Sequence, residues 1–461
     1  MSGESEKAQS RRVDRDTAFR MAVQRQQAGK LGDAVDIYRR ILAADPAFAP
    51  AWINLGVALR GLGRIDAGIA SLQRGIALKP EDAGARSNLG NALRAAGRLD
   101  EARASHLAAI GMDPSAGSFV YNLGLVLRDL GDLDGAIARF DEAEAMGYAP
   151  ADLNWDRALA LLLRGDLERG FAEYEWRWQI ADAKPRDLPG PAWKGEDLSG
   201  GTLLVYAEQG FGDTIQFVRY LPLVVEKAAR VVLECQEPLV RLFQNSEACQ
   251  DVTVVARDMD PLPHYDAHAA LLTLPHLTVA APIAGDRPYL AASDSLPTAD
   301  RPQTELQVGL VWAGKPTHRN DRNRSLALSE LSPLFEVPGA RFHSLQLGDP
   351  ADAIASLGYS ALIADHRPRI RDFADSADLL STLHLLISAD TAPAHLAGAL
   401  GRPVWTLLPF AADWRWRTQG ETTPWYDTMR LFRQTRPRHW TDVIERLRDS
   451  LVAQVAAPRD V

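Results

Sequence analysis

Five glycines, Gly29, Gly63, Gly97, Gly131 and Gly165, stand at one constant spacing of 34 residues. A second series on the same period, Ala34, Gly68, Ala102, Ala136 and Gly170, holds only small residues. Pro46, Pro80 and Pro114 keep the period, as do the pairs Leu55-Gly56, Leu89-Gly90 and Leu123-Gly124. Several independent positions on one period mean copies of a single structural unit. At this length the unit is two antiparallel helices, with small residues where they cross and proline at the exit. Such units cannot bury their apolar faces alone, so they stack on their neighbours into a solenoid. A simple helical bundle needs no fixed period.

The pattern is that of tetratricopeptide repeats. About five units are expected over 15–184, the first and last atypical as capping units, after a disordered segment at 1–14. A solenoid of this kind is a scaffold with a concave groove. Asn54, Asn88 and Asn122 occupy the same position of successive units, on the first helix of each pair. That helix lines the inner surface, and an asparagine there offers two donors and an acceptor to the backbone of an extended peptide. A similar ladder lines the repeats of the nucleocytoplasmic O-linked N-acetylglucosamine transferases, a resemblance that implies a peptide groove. Helix-cap or inter-repeat polar contacts are the alternative reading of the same residues.

Composition narrows the function. The net charge of −9 argues against a general nucleic-acid binder. Two cysteines, Cys235 and Cys249, without paired-ligand spacing, argue against a disulfide framework or a cysteine-rich zinc site and fit a reducing compartment. The N-terminal MSGESEKAQSRRVDRD has no apolar segment of the secretory type. No run approaches the roughly 18 apolar residues of a membrane span. The expectation is a soluble, cytoplasmic protein.

Beyond the repeats, Pro185, Pro189, Gly190 and Pro191 mark a linker over 185–200. Trp176, Trp178 and Trp193 around it are expected to pack the joint between the two parts, since large apolar area fixes a domain interface. The remainder reads as two α/β halves, 201–300 and 301–455. In the first, a strand (Thr202–Tyr206), a glycine-bearing loop (Glu208–Asp213) and a helix (Thr214–Val225) open a doubly wound unit. Strands follow at Arg230–Glu234, Val252–Val255 and His268–Leu272. The glycines do not match a dinucleotide fingerprint, so no nicotinamide cofactor is expected. Leu296–Gln303 reads as a linker between the halves.

The second half opens with a strand at Gln307. The loop after it, Lys315 to Ser325, is densely basic and leaves a strand's carboxyl end, where open α/β sheets bind ligands. Lys315, Arg322 and Arg324 are candidates to neutralise a leaving diphosphate. Gln346, ending the strand Arg341–Gln346, lies at the expected cleft edge and is a candidate to touch the nucleotide. Asp372-Phe373-Ala374-Asp375 precedes a helix, with Asp375 the expected cap. Leu385-Leu386-Ile387 reads as a buried parallel strand. The turn Asp390-Thr391-Ala392-Pro393 then starts a helix, with Thr391 as N-cap and Pro393 in the first turn. A helix N-terminus there is a seat for phosphate. A terminal helix is expected over Thr441–Val455. The fold class is therefore α + α/β, an N-terminal tetratricopeptide α-solenoid followed by two facing doubly wound α/β (Rossmann-like) domains.

The run Asp390-Thr391-Ala392-Pro393-Ala394-His395-Leu396-Ala397, with Ala399-Leu400-Gly401 and Pro403, resembles the nucleotide-sugar signature of the heptosyltransferase-like, family nine glycosyltransferases. The usual pattern there is Asp-Thr-Gly-x-x-His, and this chain has Ala392 at the glycine. Gly212-Asp213 resembles the Gly-Asp of the same family's first domain. The resemblance covers roughly 200 to 440 and is specific in these two places. It implies the two-domain GT-B architecture and a nucleotide-sugar co-substrate, with inverting transfer and neither metal nor other cofactor. In that reading Asp213 is the general base that takes the proton of the incoming hydroxyl. The alternatives are that Asp213 caps the next helix, with Glu208 as second candidate base. His395 would contact the phosphate, and Asp390 would orient the turn, a cation or a sugar hydroxyl. Asp258-Met259-Asp260 reads as an exposed polar loop. The late loops Asp413–Trp416 and Pro424–Tyr426 suit a sugar-pocket wall or interdomain packing equally. Two functions stand: a glycosyltransferase whose repeats recruit a protein acceptor, or a non-catalytic adaptor with a degenerate α/β pair.

Overall fold

The computed structural model describes residues 14–181, 183, 185–257, 259–278, 287–293, 305–318 and 320–457. The expected disordered segment up to residue 13 and the linker Leu296–Gln303 lie outside these residues, as do Asp258 and Arg319. The chain forms two compact units divided between Arg157 and Ala158, inside the fifth helix pair and ahead of the linker at 185–200.

Ten helices carry the repeats: α1 (Arg15–Gln27), α2 (Leu31–Ala44), α3 (Ala49–Gly61), α4 (Ile65–Leu78), α5 (Ala83–Ala95), α6 (Leu99–Met112), α7 (Gly117–Leu130), α8 (Leu133–Ala145), α9 (Ala151–Arg164) and α10 (Leu167–Tyr174). Each 34-spaced glycine sits in the turn within a pair, at φ from +73° to +96°, a region that L side chains rarely adopt. The Leu-Gly pairs mark the helix crossings. A Cβ on Gly56 would lie 2.5 Å from Leu72 Cγ, on Gly90 2.5 Å from His106 Nε2, and on Gly124 2.6 Å from Phe140 Cε1. Glycine on one helix thus meets a large side chain on the next, and both members recur on the sequence period. Tyr38, Leu72, His106 and Phe140 are all fully buried.

The second unit holds two parallel sheets. The first contains β1 (Leu198–Tyr206), β2 (Ala228–Cys235), β3 (Val252–Ala256) and β4 (Ala267–Ala270) in the order β3-β2-β1-β4. The second contains β5 (Leu306–Val311), β6 (Ala340–Ser344), β7 (Ile363–Asp365), β8 (Leu385–Ala389), β9 (Val404–Leu408) and β10 (Met429–Arg433) in the order β10-β9-β8-β5-β6-β7. Counting strands within each half, the orders are 3-2-1-4 and 3-2-1-4-5-6, the doubly wound arrangement. Its topological switch points lie between β1 and β4 in the first half, and between β5 and β8 in the second.

Besides α10 and the second half of α9, the α-helices of this unit among the described residues are α11 (Phe211–Phe217), α12 (Leu221–Val225), α13 (Glu237–Gln244), α14 (Leu274–Leu277), α15 (Asp321–Arg324), α16 (Ala353–Ser356), α17 (Phe373–Thr382), α18 (Ala392–Ala399) and α19 (Thr441–Ala456). The helix expected over Thr214–Val225 starts three residues earlier and breaks into a 3-10 turn at Val218–Tyr220, ahead of Pro222. The linker is partly sheet. Ala192 bridges His268, and the Trp193 N–H donates to the His268 carbonyl at 2.8 Å, so this segment extends the sheet beside β4. Both faces of the second sheet are covered. β5, β8 and β9 are buried throughout, and Val443, Ile444, Leu447 and Leu451 of α19 join their core.

Candidate functional site

Strands β5 and β8 are hydrogen-bonded neighbours, so the segments leaving their carboxyl ends meet at the switch point of the second half. From β8 comes the turn into α18. Thr391 stands at the N-cap, but its hydroxyl does not cap the helix. It donates back to the Ala389 carbonyl at 3.1 Å and pairs with Ser388 Oγ at 3.2 Å. The expected cap is corrected by this alternative partner: Thr391 makes no side-chain cap hydrogen bond to α18.

From β5 comes the basic loop. Arg324 crosses to the neighbouring strand end, where its Nη1 donates to the Asp390 carbonyl at 2.9 Å. Gly314 permits the crossing, since a Cβ there would lie 2.6 Å from Arg324 Nη2. Arg324 Nε is buried 3.6 Å from Asp321 Oδ1, with no hydrogen-bond partner among the described residues. Lys315 and Arg322 are exposed and make no ion pair among the described residues. Burial and the neighbouring Asp413 carboxylate push Asp390 up to about 6, against the pull of Arg324. Gln346 has a different role from ligand contact. Its Oε1 accepts from the Trp312 and Ala313 N–H groups at 3.0 and 2.9 Å, and its amide donates to the Ala313 and Leu347 carbonyls. Three of these four bonds tie the end of β6 to the end of β5, and the fourth stays within Gln346's own segment.

Across the cleft stands α11 of the first half. Gly212 brings the two helix starts together: a Cβ there would lie 2.8 Å from His395 Cδ2. Asp213 does cap α11, accepting from the Gly210 N–H at 3.0 Å. Its other oxygen takes Arg415 Nη2 at 2.5 Å. Arg415 also binds Asp413 at 2.8 Å, donates to Gln216, and lies over the Trp414 ring at 4.4 Å. Its side chain is 7% exposed. Gln216 Nε2 beside it is buried without a hydrogen-bond partner among the described residues.

His395 is 6% exposed. Its Nδ1 pairs with the Tyr426 hydroxyl at 2.9 Å, and its ring stacks on Trp416 at 5.2 Å. Burial, with Arg415, Arg219 and Arg324 nearby, holds its pKa well below the usual histidine range, so the imidazole is neutral. Trp414, Trp416, Trp425 and Tyr426 of the late loops are buried. Arg219 reinforces them, donating to the Trp425 carbonyl at 3.0 Å and the Tyr289 hydroxyl at 2.9 Å. At α17 the cap is Asp372, which accepts from the Asp375 N–H at 3.0 Å, whereas Asp375 binds Arg371 and Arg241.

Glu208 follows the end of β1. One oxygen accepts from Arg177 Nη2 at 3.1 Å, and the other is buried without a partner. Burial pushes its carboxyl up to about 7, against the attraction of Arg177. Among the described residues no three histidine, cysteine or acidic side chains gather as a metal-ligand group. In the repeats, Asn54, Asn88 and Asn122 are half-buried. Asn122 donates to Ser87 Oγ at 3.3 Å, an inter-repeat contact, and Asn54 hydrogen-bonds Tyr38.

Sequence reasoning missed Arg177 and Arg415, the two buried arginines that hold the carboxylates of this cleft. Each stands between aromatic residues, Trp176/Trp178 and Trp414/Trp416. An arginine flanked this way reads as a stacked, buried cation in need of an acid, and that signal was available.

The tetratricopeptide repeat profile matches residues 19–74, 53–117 and 121–185. The profile of glycosyltransferase family 9 (heptosyltransferase) matches 370–445, the stretch holding α17, β8, α18 and the late loops. Protein FlbA of Caulobacter vibrioides is 27% identical over 310 residues, 61% of this chain, and the chain spans 52% of that protein's length. Among solved structures, a thermophilic TPR protein of Thermus thermophilus is 23% identical, with a TM-score of 0.34, over 37% of this chain and 93% of its own. Pseudomonas aeruginosa pilF is 20% identical, with a TM-score of 0.33, over 38% and 78%. No helix among the described residues is long and apolar enough to cross a membrane. The chain carries tetratricopeptide repeats in its N-terminal part and, at its C-terminal end, a domain of the glycosyltransferase family 9 (heptosyltransferase) type.

Proposed function

We propose that the protein transfers a sugar from a nucleotide-sugar donor to an acceptor that the repeats recruit, most simply a polypeptide. The observation carrying this reading is the switch point between β5 and β8. There Arg324 is fixed on the Asp390 carbonyl, Lys315 and Arg322 are exposed and make no ion pair among the described residues, and the N-cap Thr391 makes no side-chain cap hydrogen bond to α18. This is the place and the charge that a diphosphate needs. Cations fixed where the leaving group gains charge lower the barrier without a metal. Attack by an acceptor hydroxyl on the anomeric carbon inverts that centre. The hydroxyl proton passes to a carboxylate of the Glu208–Asp213 loop, with Asp213 the candidate. His395 is the neutral buttress between the two helix starts. Asn54, Asn88 and Asn122 are the proposed groove for the acceptor, in a reducing, cytoplasmic setting.

The test is thermal unfolding against a panel of nucleotides and nucleotide sugars, since a ligand that binds the folded form raises the melting temperature. One donor should stabilise the protein, and Lys315→Ala combined with Arg322→Ala should abolish that response. A panel without any response overturns the proposal. One observation favours a second reading, a non-catalytic adaptor. Arg415 and the Gly210 N–H already take both oxygens of Asp213. Donor binding without transfer to any acceptor would select that reading.

A further inference from the structure

The carboxyl ends of β1 and β4 form the switch point of the first half, and one side chain fills it. Arg177 comes from the 3-10 turn Glu175–Trp178 that ends α10, and its side chain is 3% exposed. Nη2 donates to Glu208 Oε1 after β1 at 3.1 Å and to Thr273 Oγ1 after β4 at 2.6 Å. Nη1 donates to Glu175 Oε1 at 2.5 Å and to the Tyr174 carbonyl at 3.3 Å. Thr273 in turn donates to Glu175 at 3.0 Å, and Trp178 lies under the guanidinium at 4.5 Å. One cation therefore ties both strand ends to the last helix pair of the repeats.

Packing alone does not call for this. Apolar contact already joins α10 to the cleft, with Phe171 edge-on to Phe217 at 6.1 Å and to Trp414 at 5.7 Å. Arg417, beyond the same aromatic loop, donates to the Arg164 carbonyl at 3.2 Å. A buried ion cluster adds little stability over apolar residues of the same volume, but it fixes a geometry. What it fixes is Glu208, the first residue of the loop that runs to Asp213.

We propose that Arg177 is a positioning residue for glycosyl transfer, holding Glu208 and through it the Glu208–Asp213 loop, so that the fifth helix pair is part of the catalytic unit. The proposal rests on the transfer reading above. The division of the chain at Ala158 puts α10 and the second half of α9 in the same unit as this loop.

The test uses the full chain and the variants Arg177→Met, Arg177→Lys and Glu208→Gln. Arg177→Met keeps the bulk and removes the fork of bonds. It should lower kcat by about 10- to 100-fold, the scale of a misplaced loop, while KM for the donor, bound at the other half, stays close to wild type. Arg177→Lys should recover part of kcat. Amide hydrogen exchange should rise over residues 208–217 in Arg177→Met and Glu208→Gln and stay unchanged over 385–400. Unchanged kcat with unchanged exchange overturns the proposal, as does an equal loss of protection in both segments, which means general loosening. Should Arg177→Met fail to fold, Glu208→Gln carries the same two readouts. If the wild-type protein transfers no sugar, the transfer reading falls by itself. Selective exchange over 208–217 then still supports the hold on the loop, and its absence overturns it.

Discussion

His106 offers the sharpest test of how the repeats are built. It occupies the position held by Tyr38, Leu72 and Phe140 in the other units and is fully buried. Its Nδ1 lies 3.4 Å from Ser87 Oγ, and its Nε2 has no partner. Burial, then the nearby Arg94 charge, pushes its pKa down from 6.5 to about 4. The folded state therefore keeps the imidazole neutral, whereas the unfolded chain takes a proton below about pH 6.5. Stability present above that pH is lost as the pH falls toward 4. The loss comes to about 2 kcal/mol at pH 5 and about 3 kcal/mol near pH 4. His106→Leu removes the titration, and the Gly56–Leu72 contact shows that leucine fits against a glycine at this crossing. Ser87 keeps the Asn122 amide as partner. Urea unfolding followed by far-ultraviolet circular dichroism, at about pH 7.5 and about pH 5, reads the effect. Groups common to both proteins cancel in the comparison. Wild type should lose about 2 kcal/mol more than the variant between the two pH values. Equal losses would refute the argument, because His106 would then be protonated inside the fold or already solvated.

Other outcomes follow from the same geometry. Gly56→Ala forces a Cβ to 2.5 Å from Leu72 Cγ and 2.8 Å from the Gly68 carbonyl oxygen, and should cost about 1–3 kcal/mol in urea unfolding. Gly29→Ala meets nothing within 4 Å but keeps φ at +73°, so its cost should stay near 1 kcal/mol. Arg415→Ala leaves Asp213 and Asp413 without their shared cation and should destabilise the second unit by about 3 kcal/mol, read as a fall in its melting temperature. Transfer activity should rise with pH through about 7 as Glu208, with Arg177, Asp213, Glu175 and Tyr206 around it, becomes the charged partner of Arg177. Glu208→Gln should flatten that limb in a pH–kcat profile.

The repeats were legible because their physics is local and repeated. A turn at positive φ needs glycine, a close crossing needs a residue without a side chain, and both recur on one period. The parallel sheets were legible for a related reason: strands covered on both faces read as unbroken apolar runs, as at Leu385–Ile387. Boundaries were less so. Trp193 looked like part of a linker, yet it extends the sheet beside β4, a pairing set by a residue 75 positions further along the chain. The helix from Phe211 was misplaced at its start because the cap works backwards, from Asp213 to the Gly210 N–H.

The site was legible only where one residue type acts near its own backbone. The β5 loop cations and the β8–α18 turn sit where a parallel sheet must put them, and the resemblance marked the same turn. Roles that depend on a distant partner did not follow. Thr391 is a good cap by type, but Ser388 and the Ala389 carbonyl compete for its hydroxyl. Gln346 is polar at a strand end, yet four backbone partners take all of its bonds. Asp213 and Glu208 each wait on an arginine, one 202 residues ahead and one 31 residues behind. In water two carboxylates so close in sequence are interchangeable. Inside the fold, Arg415 and a helix cap take both oxygens of Asp213, while burial with one free oxygen pushes Glu208 up to about 7. The difference between them comes from the burial that raises Glu208 against the pull of Arg177, and from the Arg415 and Gly210 bonds that take both oxygens of Asp213, rather than from the loop that carries both acids.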